Sequence, residues 1–287
     1  MPGKIVSPAR AEVQAWINEL TGEGLAPPTV HHCYVALRKV VKHALWDRRI
    51  AFDPCDGIDL PKSQAVDDGE LSVLTVAQAE SAAAELANFK PYDVLVRFRA
   101  YTGLRAGEVA GLRVRDVDLA AGHVSVRQTA QWIRRHDQEV GEWVFGTPKS
   151  LRSSRDVPIL DRKLLADLKA LKMQHPRSGD GDALFWPGRT LGSHRADYDR
   201  VWDVATFRRN YFKPALVRPE LPAIRVHDLR HTAASLWLAA GFLPYQVSRW
   251  LGHASVVATD TIYSHLYPTD YSQHVARSEA FALTSYV

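Results

Sequence analysis

The sequence predicts a mainly helical α+β protein: a small helical N-terminal region, then a larger helical domain carrying a small antiparallel β-sheet. Three observations predict it. Apolar residues recur at three- and four-residue spacing over much of the chain. Period-two alternation is confined to short runs between residues 122 and 159, with turn residues between them. No strand–helix–strand alternation occurs, which argues against a parallel sheet. With 287 residues, 46% hydrophobic and 24% charged, the chain can bury a substantial core, and a disordered or low-complexity protein is excluded. No run approaches the ~18 uninterrupted apolar residues of a membrane span. Residues 1–10 lack a signal-peptide core. Two cysteines, Cys33 and Cys55, make no disulfide framework and point to a reduced, cytoplasmic setting.

Taken in order, Ser7-Pro8 reads as a helix start, after which Val13, Trp16, Ile17 and Leu20 form an apolar stripe that Gly22 and Gly24 end. Pro27-Pro28 opens a second helix with Val30, Tyr34, Leu37, Val41 and Ala44 on its apolar side. Asp53-Pro54, Gly57 and Pro61 close this region. The stretch 62–69 is polar, acidic and without periodicity. The predicted division is a helical domain over 1–64, a linker over 65–70 and a second domain over 71–287. In the second domain, helices are predicted at roughly 75–88, 91–102, 161–173, 199–211, 228–240, 244–251 and 256–266. Strands are predicted at 122–127, 143–145 and 155–159.

The net charge of +4 permits nucleic-acid binding without requiring it, so distribution matters more. Between Pro28 and Ile50, five basic residues face Asp47 alone, and Arg189–Lys213 holds six basic against three acidic residues. Patchy basic charge suits a surface laid along a phosphate backbone. On the second helix, His31, Arg38 and Lys42 share a face with Lys39 beside it, making them candidate DNA contacts.

Several motifs are excluded. GEWVFGTPKS, residues 141–150, misses a P-loop, because Thr147-Pro148 intrudes and the proline removes a phosphate-cradling N–H. His227 and His231 are four apart on a predicted helix, as in zinc proteases. The general-base glutamate is missing, though, and Arg230 would set a cation beside the metal. No G-x-S-x-G occurs. Residues 241–263 alone could pass for a helix-turn-helix.

Five separated segments carry the functional signal: Thr102-Gly103-Leu104-Arg105-Ala106-Gly107-Glu108-Val109, Thr147-Pro148-Lys149-Ser150, His227-Asp228-Leu229-Arg230-His231-Thr232, Leu251-Gly252-His253, and Tyr263-Ser264-His265. Each alone has an ordinary structural explanation. Together, and in this order, they resemble the tyrosine recombinases, the phage-integrase family. The resemblance covers nearly the whole chain. The basic helix after Pro27-Pro28 looks like the helix by which the family's core-binding domain faces DNA. The region from about Glu70 looks like the catalytic domain. The TGLRAGE, HDLRH and LGH…Y segments are specific as a set, whereas Lys149 rests on its hairpin position.

That resemblance implies a site-specific recombinase of a phage or mobile element, acting through a 3′-phosphotyrosine and a Holliday junction. The residue types suit the chemistry. Arg105 and Arg230 can clamp phosphate oxygens with bidentate guanidiniums. Tyr263 is the expected nucleophile, preferred over Tyr267 and Tyr271. A free tyrosine has a pKa near ~10, so its proton must go to a base, and His227 can take it. The family implies Lys149 as general acid, His253 as a hydrogen-bond donor to the phosphate and Glu108 as an orienting residue. The chemistry implies no cofactor and no metal. Implied partners are double-stranded attachment sites, a homotetramer at synapsis from a chain monomeric when free, and optionally a directionality factor, with no membrane. The bacterial host cytoplasm is the implied location.

Two departures stand out. No arm-binding domain precedes the core-binding region, so compact core-type sites are expected, and that region has room for two or three helices where four are usual. The alternatives are a Xer-type resolvase or transposon recombinase of the same chemistry, a type IB topoisomerase, and a non-catalytic helix-turn-helix regulator.

Overall fold

The computed structural model describes residues 8–62, 72–135, 139–147, 154–253, 255 and 263. The chain divides into two compact units, Met1–Glu70 and Leu71–Val287. The expected linker at 65–70 and the helix at 256–266 apart from Tyr263 lie outside the described residues, as do Lys149, His265, Tyr267 and Tyr271.

In the first unit, α1 (Arg10–Gly22) and α2 (Pro27–Trp46) pack together through Val13, Ile17, Val30, Tyr34 and Val41, with Cys55 beneath them. The structure sets the α1 cap at Ala9, two residues after the expected Ser7, and the Glu12 carboxylate accepts the Ala9 N–H at 2.6 Å. A glutamate at the third helical position thus satisfies a donor that the alanine side chain cannot serve. The return segment is pinned from both sides. The Tyr34 hydroxyl donates to the Cys55 carbonyl at 2.7 Å, and the Gln14 amide brackets the Asp59 backbone at 2.9 and 3.0 Å. His31, Arg38, Lys39 and Lys42 are all exposed on α2.

The second unit opens with α3 (Val76–Ala84), started by a reciprocal cap between Thr75 and Gln78, followed by α4 (Tyr92–Thr102) and α5 (Ala106–Gly111). Next come β1 (Val117–Asp118), β2 (His123–Val126), the hairpin β3 (Thr129–Ile133)–β4 (Glu142–Gly146), and β5 (Arg155–Pro158). β1, β2 and β5 form an antiparallel sheet in that order, with Val124 opposite both Val117 and Val157. These three valines are fully buried, so the register turns one face of the small sheet into the core.

The remainder is α6 (Arg162–Gln174), the hairpin β6 (Pro187–Arg189)–β7 (Ala196–Val201), α7 (Val204–Phe207), a π-helical turn (Arg208–Phe212), α8 (Lys213–Val217), α9 (Asp228–Ala239) and α10 (Pro244–Leu251). The helix expected over 199–211 is replaced at its start by β7, and Asp203 caps the new start at α7 through the Ala205 and Thr206 amides. α4 packs on α9, α5 lies on β3, and α10 lies on β5. These three pairings bring the C-terminal end of α4, the start of α5, the start of β5, the first turn of α9 and the end of α10 to one place. Among the described residues, no helix is long and apolar enough to cross a membrane.

Candidate active site

Two glycines hold the site together. Gly103 ends α4 with φ +62°, and a Cβ there would lie 2.8 Å from Leu251 Cδ2 and 3.2 Å from Ala233 Cβ. Gly252 ends α10 with φ +66°, and a Cβ there would meet the Arg155 guanidinium at 3.0 Å. Only glycine fits both the left-handed backbone and the close approach. Each then offers its carbonyl to an arginine of the other motif. Arg230 donates from Nη1 to the Gly103 carbonyl at 2.7 Å and from Nη2 to the Leu251 carbonyl at 2.5 Å. Arg105 donates from Nη2 to the Gly252 carbonyl at 3.1 Å. The TGLR, HDLRH and LGH segments are therefore cross-linked through main-chain oxygens, which explains glycine in two of them.

Glu108 is the electrostatic centre. Its side chain is 2% exposed, and as the third residue of α5 it reaches back to accept the Arg105 N–H at 2.8 Å. It also accepts from Arg105 Nη1 at 3.0 Å and from Arg155 Nη1 and Nη2 at 2.9 and 3.0 Å. Arg155 further donates from Nε to the Trp250 carbonyl at 2.5 Å. One carboxylate so gathers two guanidiniums. Burial alone would raise its pKa, but the hydrogen bonds and charge of Arg155, then those of Arg105, outweigh burial and hold it below 4.5. Arg155 was not singled out from sequence. It opens a short strand 47 residues from Glu108, and nothing local distinguishes it from other arginines.

Arg230 is 3% exposed, and burial lowers its pKa to about 9, leaving it charged at neutral pH. Arg105 keeps 40% of its side chain exposed. Each guanidinium has five N–H donors. Among the described residues, the side-chain bonds of Arg105 and Arg230 use two each, so both retain donors for an incoming anion.

His227 stands at the N-terminal boundary of α9 and faces solvent, and His253 follows Gly252. Lost solvent contact, then the charges of Arg230, Arg105 and Arg155, pushes His253 down to about 4, so at neutral pH it is an uncharged ring with one N–H to donate. Tyr263 is 1% exposed, and burial pushes its phenol up to about 12 against the opposing charge of Arg230. Its hydroxyl lies 2.6 Å from Nδ1 of His231. The residue at the hydroxyl is thus His231, one position after Arg230, where sequence reasoning put His227. The His227 ring meets that of His231 edge-on at 5.4 Å. Helical spacing brings both histidines to the same end of α9, but only the three-dimensional position of residue 263 decides between them.

Beside α5 opens a groove of about 1380 Å³, lined among others by Ala106, Gly107, Trp132, Trp143, Arg189, Arg200 and Arg209. Part of the basic run noted in the sequence therefore lines a concave surface adjoining Arg105. Among the described residues there is no cluster of three potential metal ligands.

The family model described as the phage integrase family matches residues 72–270. The integrase of Mycobacterium phage L5 is 29% identical over 247 residues, covering 85% of this chain and 60% of that protein. The solved structure of the Tn1549 transposon integrase in complex with transposon right end DNA has a TM-score of 0.67 at 20% identity, over 96% of this chain and 86% of that one. A lambda integrase tetramer bound to a Holliday junction has a TM-score of 0.58 at 17% identity, over 91% of this chain and 65% of that one. The chain spans 60–67% of the length of the curated relatives first matched.

Proposed function

The chain belongs to the phage integrase family, and from that membership and the geometry of its site we propose that it is a site-specific DNA recombinase of a phage or mobile element. It cuts and rejoins DNA through a 3′-phosphotyrosine. The observation that carries this reading is the convergence of Arg105, Arg230, His253 and a buried Tyr263 at one end of α9, with donors of both arginines still open. Guanidiniums positioned before the reaction stabilise the extra negative charge of a pentavalent phosphorane without reorganising. Arg230 is held rigidly by two carbonyls and Arg105 by Glu108 and Gly252, so both meet that requirement. His253 donates its N–H to a phosphate oxygen, Lys149 protonates the leaving 5′-oxygen, and Tyr263 attacks phosphorus. His227, at the solvent-facing edge of the site, flanks this group.

His31, Arg38, Lys39 and Lys42 on exposed α2 supply phosphate contacts of the core-binding region, taken as residues 1–64 with a linker at 65–70 before the catalytic domain at 71–287. The working form on DNA is a homotetramer that assembles from monomers and passes through a Holliday junction, optionally with a directionality factor, in the cytoplasm of a bacterial host. The lambda integrase tetramer bound to a Holliday junction supports this by analogy of fold.

The test is covalent capture from a pool of nicked duplexes of random sequence. Wild type should yield a detergent-resistant protein–DNA adduct enriched in one sequence, and Tyr263→Phe should bind that sequence yet give no adduct. A non-catalytic regulator gives no adduct. A type IB topoisomerase gives one without sequence enrichment.

A further inference from the structure

Cleavage by a buried tyrosine raises the question of where its proton goes. At 1% exposure, the Tyr263 side chain is closed to bulk water, so the proton must pass to a protein group. Among the described residues, its hydroxyl has one hydrogen-bond partner, Nδ1 of His231 at 2.6 Å. That distance is at the short end for a hydrogen bond between oxygen and nitrogen and leaves no room for an intervening water. We infer that His231, the residue after the clamp arginine, is the catalytic base that takes the Tyr263 proton in cleavage and returns it in rejoining. The inference rests on the recombinase reading and assigns a residue that reading leaves unused.

The surroundings suit the role. On α9 itself His231 faces His227, Asp228 and Arg230. Arg225 approaches from the turn before the helix, and Tyr263 and His253 approach from beyond it. Burial first, then Arg230 and Arg225, lowers its pKa below 6.5, and Asp228 opposes them. At neutral pH the ring is therefore uncharged. With hydrogen on Nε2, its Nδ1 lone pair accepts the phenol O–H. As the proton transfers, the Asp228 carboxylate, 8% exposed and fixed by the Arg225 backbone N–H at 2.7 Å, stabilises the imidazolium.

The step balances. The Tyr263 O–H bond breaks and its proton goes to Nδ1. The phenolate oxygen bonds to phosphorus while the bond from phosphorus to the 5′-oxygen breaks. That oxygen leaves with the electron pair and takes a proton from the general acid. Rejoining runs these transfers backwards. His227 packs edge-on against His231, and among the described residues it makes no hydrogen bond to the Tyr263 hydroxyl, so in this scheme it is a positioning residue.

The experiment measures single-turnover adduct formation on the duplex that wild type selects from the random pool, across roughly pH 5.5–9.5. His231→Ala should lower the rate at neutral pH by about 10²–10⁴-fold. The deficit should shrink as pH rises, because the cavity left by the half-buried His231 ring admits hydroxide in place of the missing base, and added imidazole should restore part of the rate. His231→Asn, which keeps a polar group near the Nδ1 position but cannot take the proton, should match His231→Ala in rate while melting like wild type. His227→Ala should keep the wild-type pH profile. Wild-type rates in both His231 variants would overturn the assignment. So would a loss independent of pH and untouched by imidazole, since that marks a structural role. Absence of any adduct from wild type would instead overturn the recombinase reading itself.

Discussion

Glu108→Ala removes the carboxylate on which Arg105 and Arg155 converge. Its cost follows from burial. Arg155 is 6% exposed and Glu108 2%, so the variant breaks an ion pair that both partners make out of water. Breaking a buried pair in this way costs about 3–5 kcal/mol. Arg105, 40% exposed, is screened by solvent and adds little. At roughly 2–4 °C per kcal/mol for a domain of this size, the melting temperature should fall by roughly 6–20 °C. Glu108→Gln keeps the shape and one acceptor and should fall by less. The loss should also depend on pH. Because the folded-state pKa of Glu108 is held below its ordinary 4.5, the stabilisation is fully present above 4.5 and is lost as pH falls through the lower folded value. Melts of wild type and Glu108→Ala followed by circular dichroism should therefore converge as the solution is acidified. A fall smaller than about 2 °C at neutral pH, or a gap that stays constant into acid, would refute the reasoning.

Three further outcomes are expected. Arg230→Lys should lower adduct formation by about 10²-fold or more, because an ammonium cannot hold the Gly103 and Leu251 carbonyls and also fork a phosphate, and full activity would remove the argument from bidentate geometry. Arg99 is fully buried on α4, its guanidinium stands 5.5 Å over the Trp202 ring, and the guanidinium has no hydrogen-bond partner among the described residues. Burial lowers its pKa to about 10 yet leaves it charged, so Arg99→Met should stabilise the protein by about 1–4 kcal/mol, and a lower melting temperature would contradict this. Arg38→Ala should flatten the log–log dependence of DNA affinity on salt by about one unit if Arg38 contacts a phosphate, and an unchanged slope would remove it from the interface.

The parts of this site that are local in sequence were legible there. Arg105 and Glu108 sit within one turn, Arg230 lies three residues from His227, and Gly252 precedes His253, so each motif declares its own spacing. The parts that depend on long-range packing were hidden. Arg155 joins the site across 47 residues from Glu108, and its burial is set by α10 lying on β5. His231 stands four residues from His227, a spacing that by itself resembles a metal-binding pair. Its meaning comes from Tyr263, 32 residues away. In the fold, the buried helices and the strand at Arg155–Pro158 follow the periodicity, while β7 replaces the start of an expected helix. There the apolar positions 201, 202, 204 and 207 satisfy helical spacing, but hairpin pairing of β7 with β6 takes precedence over local pattern.

The central claim is that Tyr263 is the nucleophile of a DNA-cleaving site built around Arg105 and Arg230. It is tested most directly by locating the phosphotyrosine. The wild-type adduct would be digested with protease and nuclease and the modified peptide sequenced by tandem mass spectrometry, which separates Tyr263 from Tyr267 and Tyr271 on the same stretch of chain. The account predicts a nucleotide remnant on Tyr263 alone. A remnant on Tyr267 or Tyr271 with Tyr263 unmodified would contradict it.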